Sequence, residues 1–238
     1  MSAERSAFWP ALWMAVVMFF AKASHWSMPE LTPKRLGEYV TDLSVSVHAD
    51  VLFCVLVGLL GQLALHVVRN RPRLSFLVYA VYFVFCLGSV IYAIASVQIF
   101  AFLRSPLTYA LVYLADNMGT MSSSIGQFLS LPFTIAVLFG PVLWILAVRI
   151  CARRFPLPRS PFARGVQALA LGALLSLVQI AHDTARGPWR DRDDRRIAQN
   201  PHWVLVSSYA DEMLTADHTG GFELAFPQIG RASCRERV

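Results

Sequence analysis

Charged residues are scarce in this chain of 238 residues, of which 15% are charged and 56% are hydrophobic. Lysine is almost missing, because only two of the 21 basic residues are lysines, Lys22 and Lys34. The mean hydropathy of +0.51 is typical of a protein whose main solvent is lipid. The net charge of +6 does not indicate a nucleic-acid partner, since the arginines are divided among separate short connections. The arginine excess suggests a GC-rich bacterial genome.

Cysteine spacing and catalytic motifs are also lacking. The four cysteines show neither the spacing of a disulfide framework nor that of a zinc site. There is no HExxH, CxxC, nucleotide-binding glycine loop or Gly-x-Ser-x-Gly elbow. We therefore expect no catalytic residue, no cofactor site and no metal site in this chain.

Long apolar runs dominate what is present. Each is near or above the roughly 20 residues that a helix needs to cross a bilayer. They predict an all-α membrane protein in which residues 1–182 form a domain of five transmembrane helices. The predicted spans are about 7–23, 51–68, 74–103, 131–148 and 165–182. In this prediction Lys22 ends the first span with its ammonium at the membrane interface.

The arginines predict the orientation, because positively charged short loops stay in the cytoplasm. Arg5, the 69–73 loop and the 149–164 loop carry most of the basic residues, whereas the opposite loops carry Lys34, Arg35 and Arg104. The expected location is the cytoplasmic (inner) membrane of a bacterium, with the N-terminus in the cytoplasm. Everything after about His182 then lies in the periplasm or outside the cell.

An outer helix is predicted between the third and fourth spans. Ser105 and Pro106 have the pattern of a helix start, and apolar residues follow at helical spacing. The favoured interpretation is a structured connector that covers the bundle. The alternative is that this helix contacts lipid headgroups, and its candidate contact residues are Tyr109, Tyr113, Asp116 and Asn117.

A linker and an amphipathic helix are predicted in residues 183–227, outside the membrane. Ala185–Arg196 has nearly balanced charges, which favours a solvated spacer. Asn200 then caps a helix whose first residue is Pro201. An apolar stripe on that helix is expected to pack against the membrane domain or a soluble domain. Its members are Trp203, Val206, Tyr209, Ala210 and Met213.

The C-terminal residues 228–238 read QIGRASCRERV. This segment can be back-translated into a DNA string that, from its second base, resembles a common short-read sequencing adapter, whose next codon in this frame would be a stop. We therefore expect residues 228–238 to be adapter translation and Pro227 to lie near the end of the genuine sequence. The chain would then be the N-terminal part of a longer protein.

Two segments carry a resemblance to a known family. They are SPLTYALVYLADNMGTMSSSIG, Ser105–Gly126, and RIAQNPHWVLVSS, Arg196–Ser208. Together with five spans, they resemble the membrane region of lipoteichoic acid synthase-like proteins, which belong to the sulfatase and alkaline phosphatase superfamily.

This resemblance implies that an extracytoplasmic phosphotransferase domain follows Pro227. In the family, such a domain uses a divalent metal, Mn or Mg, and a threonine nucleophile to move a phosphoglycerol or similar group from a lipid. The implied partners are membrane lipid and the chain's own missing C-terminal domain. No catalytic residue is carried over, and Trp203 and Tyr209 are candidate docking contacts.

Two other interpretations stay open, a transporter fragment and a non-enzymatic membrane anchor or scaffold. Polar residues inside the spans favour a transporter, but no half of the chain repeats another. His48 and Asp50 precede the second span, and His182 and Asp183 close the fifth. These four residues could bind a metal or a phosphate-bearing headgroup. At the expected interface hydration is cheap, so we do not predict a metal site there.

Overall fold

The structure is a computed structural model, which describes residues 6–26, 32–103, 105–110, 131–155, 161–187, 189–192 and 195–219. Within these ranges, all regular secondary structure is helical. A short 3₁₀ helix spans Arg195–Ala198. The α-helices are α1 (Phe8–Ala23), α2 (Pro33–Val67), α3 (Pro72–Leu103), α4 (Leu131–Arg154), α5 (Pro161–Arg186) and α6 (Pro201–Thr219). The predicted all-α class is confirmed for this part of the chain.

Proline marks where most of these helices begin. It is the first residue of α2, α3, α5 and α6. Proline suits this position because its fixed φ angle is helical and the first amides of a helix have no partner within it. The helix starts are thus encoded locally.

Three of the described helices are long and apolar enough to cross a membrane. They are α2, α3 and residues Phe133–Arg154 of α4, whereas α1 is a shorter apolar helix of 16 residues. The structure thus confirms apolar membrane-type helices. The count of five spans and the orientation stay predictions.

Helix α1 lies at the centre of the bundle and packs against α2, α3 and α4. Its side chains Met14 and Met18 are fully buried. The Cys54 thiol of α2 lies 3.6 Å from the Met18 sulfur, and Trp144 of α4 is buried in the same cluster. This core holds together the helices that carry the polar residues described below.

Two glycines of α2 allow this close packing. A Cβ atom at Gly58 would lie 2.9 Å from the Ala11 Cβ of α1, and one at Gly61 would lie 2.5 Å from the Tyr82 ring of α3. Small residues at helix interfaces let backbones approach closely in membranes, where lipid tails remove most of the hydrophobic driving force. Gly58 and Gly61 therefore set the separation between α2 and its neighbours.

Substitution of Gly58 by alanine should destabilise the bundle by about 1–3 kcal/mol, because the Ala11 methyl group cannot rotate away from the added methyl. Thermal unfolding in detergent or nanodiscs would measure this loss. Gly88→Ala is the matched control, since nothing lies within 4 Å of a Cβ atom at Gly88 in α3. Equal stability of the two variants would contradict the assigned contact.

Helix α2 is longer than a bilayer crossing requires. Its 35 residues extend about 50 Å, against a hydrocarbon thickness of about 30 Å. The charge-free part begins at Val51, so the first half of α2 forms an extension that carries Asp42, His48 and Asp50. This extension packs against α5 and the 3₁₀ helix. A second buried cluster lies there, formed by Val45, Phe100, Trp189, Ile197 and Ala198.

The predicted topology is tested by reporter fusions. Fusions after Arg71 and Arg154 should report the cytoplasm, because the basic loops are retained there. Fusions after Arg35, Asn117 and Gln199 should report the opposite side. A cytoplasmic signal at Gln199 would exclude the arrangement of five spans with a cytoplasmic N-terminus.

Candidate functional site

The site residues predicted from sequence divide into two groups. Tyr113, Asp116 and Asn117 lie outside the described residues. Tyr109, Trp203 and Tyr209 are described, and they lie on or beside α6. The residues that the tertiary structure gathers most closely are different ones, namely Lys22, His48, Asp50, His182 and Asn200, which we call the polar junction.

A buried ion pair is at the centre of the polar junction. The Lys22 ammonium at the end of α1 lies 2.7 Å from Asp50 Oδ2 of α2, and both residues are almost fully buried. The ammonium also donates to the backbone carbonyl oxygens of Ser46, at 2.6 Å, and Gln199, at 3.3 Å. Its three protons therefore all have acceptors. The partners of Lys22 therefore hold its ammonium inside the protein rather than at the protein surface.

Asn200 connects this ion pair to α6. Its side-chain nitrogen donates to Asp50 Oδ1 over 2.8 Å, while its side-chain oxygen accepts the backbone N–H of Trp203 at 3.0 Å. The second contact is the predicted N-cap of α6, which is confirmed. The first contact fixes the start of α6 to the bundle. The Tyr92 hydroxyl of α3 adds a bond to the Pro201 carbonyl oxygen at 3.2 Å.

Two histidines meet beside the ion pair. Nδ1 of His182 in α5 lies 3.3 Å from Nε2 of His48 in α2. The other ring nitrogen of His48, Nδ1, bonds to the Val45 carbonyl oxygen. His48 is buried and His182 is half-buried. The sequence predicted that both histidines lie at the same membrane interface. The structure brings their rings into contact.

The polar junction continues into the segment that follows α5. Nη1 of Arg192 donates to both carboxylate oxygens of Asp42 in α2, at 2.9 and 3.0 Å, and the guanidinium lies 4.3 Å from the centre of the Trp189 ring. The Trp189 indole donates to the same carboxylate at 3.1 Å. Trp189 is buried, so the expected solvated spacer is wrong at these positions. The segment instead folds back onto α2.

Helix α6 leaves the junction with an uncovered apolar face. Of the predicted stripe, Trp203 is 70% exposed, Val206 60%, Tyr209 45% and Met213 47%. The Ser208 hydroxyl accepts the backbone N–H of Tyr109 at 2.9 Å, and the Tyr209 ring of the stripe packs edge to face on the Tyr109 ring. Apart from this ring contact, the stripe stays largely exposed in the part of the chain that the structure describes.

Tyr109 also marks a difference from the sequence prediction. Residues 106–108 are not helical, and helical backbone begins at Tyr109. The Ser105 hydroxyl lies 3.5 Å from the Pro106 carbonyl oxygen. The predicted helix start at Ser105–Pro106 is therefore wrong, and the contact with α6 fixes this segment.

The uncharged ring of His202 packs between α2 and α3 at the start of α6. Its ring stacks on Phe53 of α2, with ring centres 4.5 Å apart, and meets the Tyr92 ring edge to face. Burial lowers the pKa of His202 to about 4, so the ring is uncharged at neutral pH. It anchors α6 by packing.

The reactions that the polar junction could support depend on which of its side chains already have hydrogen-bond or ion-pair partners. Lys22 and Asp50 neutralise each other in their ion pair, and Asn200 donates to Asp50, so both charged groups are engaged within the junction. The histidine pair differs, because His182 is partly accessible. Within the described ranges, no group of three or more His, Cys, Asp or Glu side chains is arranged to hold a metal ion.

Sequence reasoning missed the ion pair. The available signal was a lysine at the end of one apolar run and an aspartate immediately before the next, because charges in such places require partners.

Comparison of the chain with protein-family models, with curated proteins and with solved structures found no match.

Removal of one member of the ion pair should be strongly destabilising. Lys22→Ala leaves the Asp50 carboxylate buried without its cation, which costs about 3–5 kcal/mol. Chemical unfolding in nanodiscs would measure the change. The double variant Lys22→Met with Asp50→Leu removes both charges and should lose less than Lys22→Ala alone. A larger loss in the double variant would show that the pair itself, rather than the uncompensated charge, sets the cost.

Proposed function

We propose that this chain is the membrane domain of an extracytoplasmic phosphotransferase of the sulfatase-like, lipoteichoic acid synthase-like type. In this proposal, the chain carries no catalytic group. It anchors a metal-dependent domain that transfers a phosphoglycerol or related group from a membrane lipid to an envelope polymer or lipid. The resemblance of Ser105–Gly126 and Arg196–Ser208 motivates the proposal.

One observation carries the proposal furthest: the two segments that bear the resemblance are in contact. The backbone N–H of Tyr109 donates to the Ser208 hydroxyl, and the Tyr109 ring meets Tyr209, the residue after the second segment. The second segment is also fixed to the bundle through Asn200 and Asp50. Tyr109 of the first segment thus contacts the middle of α6, and the second segment fixes the start of α6 to the bundle.

The rigid start and uncovered face of α6 suit an anchoring role. Asn200 and Pro201 hold its first turn against α2 and α3, while Trp203 and Val206 remain exposed. An enzyme that acts on a membrane lipid gains rate when its soluble site is held over the headgroup, because positioning replaces a diffusional search. A fixed helix that leads from the bundle to a soluble domain would supply this positioning.

We assign the apolar face of α6 to the soluble domain that the resemblance implies after Pro227. Large side chains, Trp203, Val206, Tyr209 and Met213, occupy one side of the helix. A surface of this composition, rich in aromatic and methionine side chains, is typical of the buried core of a protein interface.

The test uses the full-length protein, whose genomic reading frame should continue beyond Pro227 into a metal-dependent hydrolase-type domain. In that protein, Trp203→Ala with Tyr209→Ala should lower the turnover of phosphatidylglycerol in bilayers by about tenfold, because the active site is no longer held over the lipid. Turnover of a soluble phosphate ester should stay unchanged. Both rates are measured on the same purified preparation in vesicles.

The control variant is Phe139→Ala with Leu143→Ala, which removes two exposed apolar side chains from α4. It should retain both activities. Unchanged lipid turnover in the α6 variant would exclude docking through this face, and equal loss on both substrates would indicate misfolding instead. Further apolar spans in the genomic frame, in place of a soluble domain, would favour the transporter interpretation and overturn the proposal.

A further inference from the structure

We propose that His48 and His182 form a binding site for a divalent transition-metal cation of the zinc type. The ligand atoms are Nε2 of His48 and Nδ1 of His182, and water completes the coordination. This inference is independent of the proposed function, because it concerns α2 and α5 rather than α6. It revises the sequence expectation that this chain has no metal site.

The separation of the two nitrogens carries the inference. They lie 3.3 Å apart, slightly beyond the ~2.7–3.2 Å that is typical of N–H···O hydrogen bonds in proteins. Two imidazole nitrogens bound to one tetrahedral zinc ion at about 2.05 Å lie about 3.3 Å apart. The rings therefore already have the spacing of two ligands of one metal ion.

The second ring nitrogen of His48 fixes its protonation. The Val45 carbonyl oxygen can only accept a hydrogen bond, so Nδ1 of neutral His48 must carry the proton and donate it. The lone pair is then on Nε2, the atom that faces His182. Metal-binding histidines commonly use this arrangement, in which a carbonyl or carboxylate holds the non-ligating N–H and orients the ring.

A metal ion can reach the two histidines, and the charged residues around them carry no net charge. His182 is half-buried, so an ion can reach the pair from the protein surface. The nearby charges of Lys22 and Asp50 compensate each other in their ion pair and impose no net charge. Asp183, the next residue of α5, is exposed, and its carboxylate accepts a bond from Gln179. Two imidazole ligands favour zinc, cobalt or nickel over magnesium or calcium, which prefer oxygen ligands.

A bound ion would link α2 to α5. These helices contribute one ligand each, and the two histidines are 134 residues apart in sequence. Because the ion binds only where both rings meet, it stabilises the folded arrangement by an amount that grows with the logarithm of its affinity and concentration. Metal availability would thereby be coupled to the packing of α5 on the bundle.

The test is titration with Co²⁺ and Zn²⁺ of the 238-residue chain in nanodiscs, carrying no polyhistidine tag. Co²⁺ should produce a saturable visible absorption band that Zn²⁺ abolishes, and calorimetry should give one site per chain. His48→Ala and His182→Ala should each weaken binding at least about tenfold, as loss of a ligand requires. Zn²⁺ should also raise the unfolding temperature of the wild-type chain.

Two further variants separate a metal site from a simple contact between the rings. His182→Asn keeps a donor for Nε2 of His48 but loses the imidazole ligand, so it should retain the fold and lose the Co²⁺ band. His66→Ala removes an exposed histidine elsewhere on α2 and should bind as the wild type does. The absence of a saturable Co²⁺ band in the wild-type chain would overturn the proposal whatever the variants do. An undiminished band in His182→Asn would do so as well.

Discussion

The buried ion pair between Lys22 and Asp50 is the contact on which the arrangement of the other elements depends. Each of its charges would be very costly in this environment without the other. The Lys22 ammonium must therefore meet both Asp50 and the nearby carbonyl oxygens, which places the end of α1 against the middle of α2. Because Asn200 binds the second oxygen of the same carboxylate, the start of α6 is fixed by the same requirement.

This pair specifies a position more than it adds stability. Replacing a buried ion pair with well-packed apolar residues is often neutral or stabilising, whereas breaking it is costly. Its effect is to penalise every arrangement in which α1, α2 and the segment before α6 are not together. In a membrane, where apolar contacts between helices differ little from contacts with lipid, such polar contacts are well suited to select one arrangement.

The junction divides the molecule into parts with separate roles. On one side, α6 begins at a fixed point and carries an exposed apolar face, which is the basis of the proposed docking role. On the other side, His48 and His182 meet between α2 and α5 with one lone pair oriented by the Val45 carbonyl. The chain between α5 and α6 is held against the first half of α2 by the contacts of Trp189 and Arg192 with Asp42.

Features encoded by neighbouring residues were predictable. Apolar runs predicted an all-helical chain because a helix satisfies its own backbone in lipid. Pro201 and Asn200 predicted the start of α6, since a cap and a proline act within one turn. A local pattern predicts less well where a tertiary contact competes with it. The Ser105–Pro106 pattern resembles a helix start, yet helical backbone begins only at Tyr109, where the contact with Ser208 fixes the chain.

The sequence by itself determined the helical class and the capped start of α6 at Asn200 and Pro201, because each depends on residues within a few positions. Only the tertiary structure decided the partners of Lys22, Asp50 and His48. Asn200 and Asp50 are 150 residues apart, and His48 and His182 are 134 apart. No periodicity or motif reports contacts at such separations. They follow from how the helices pack, and that packing depends on small residues such as Gly58 and on the requirement that every buried charge be paired.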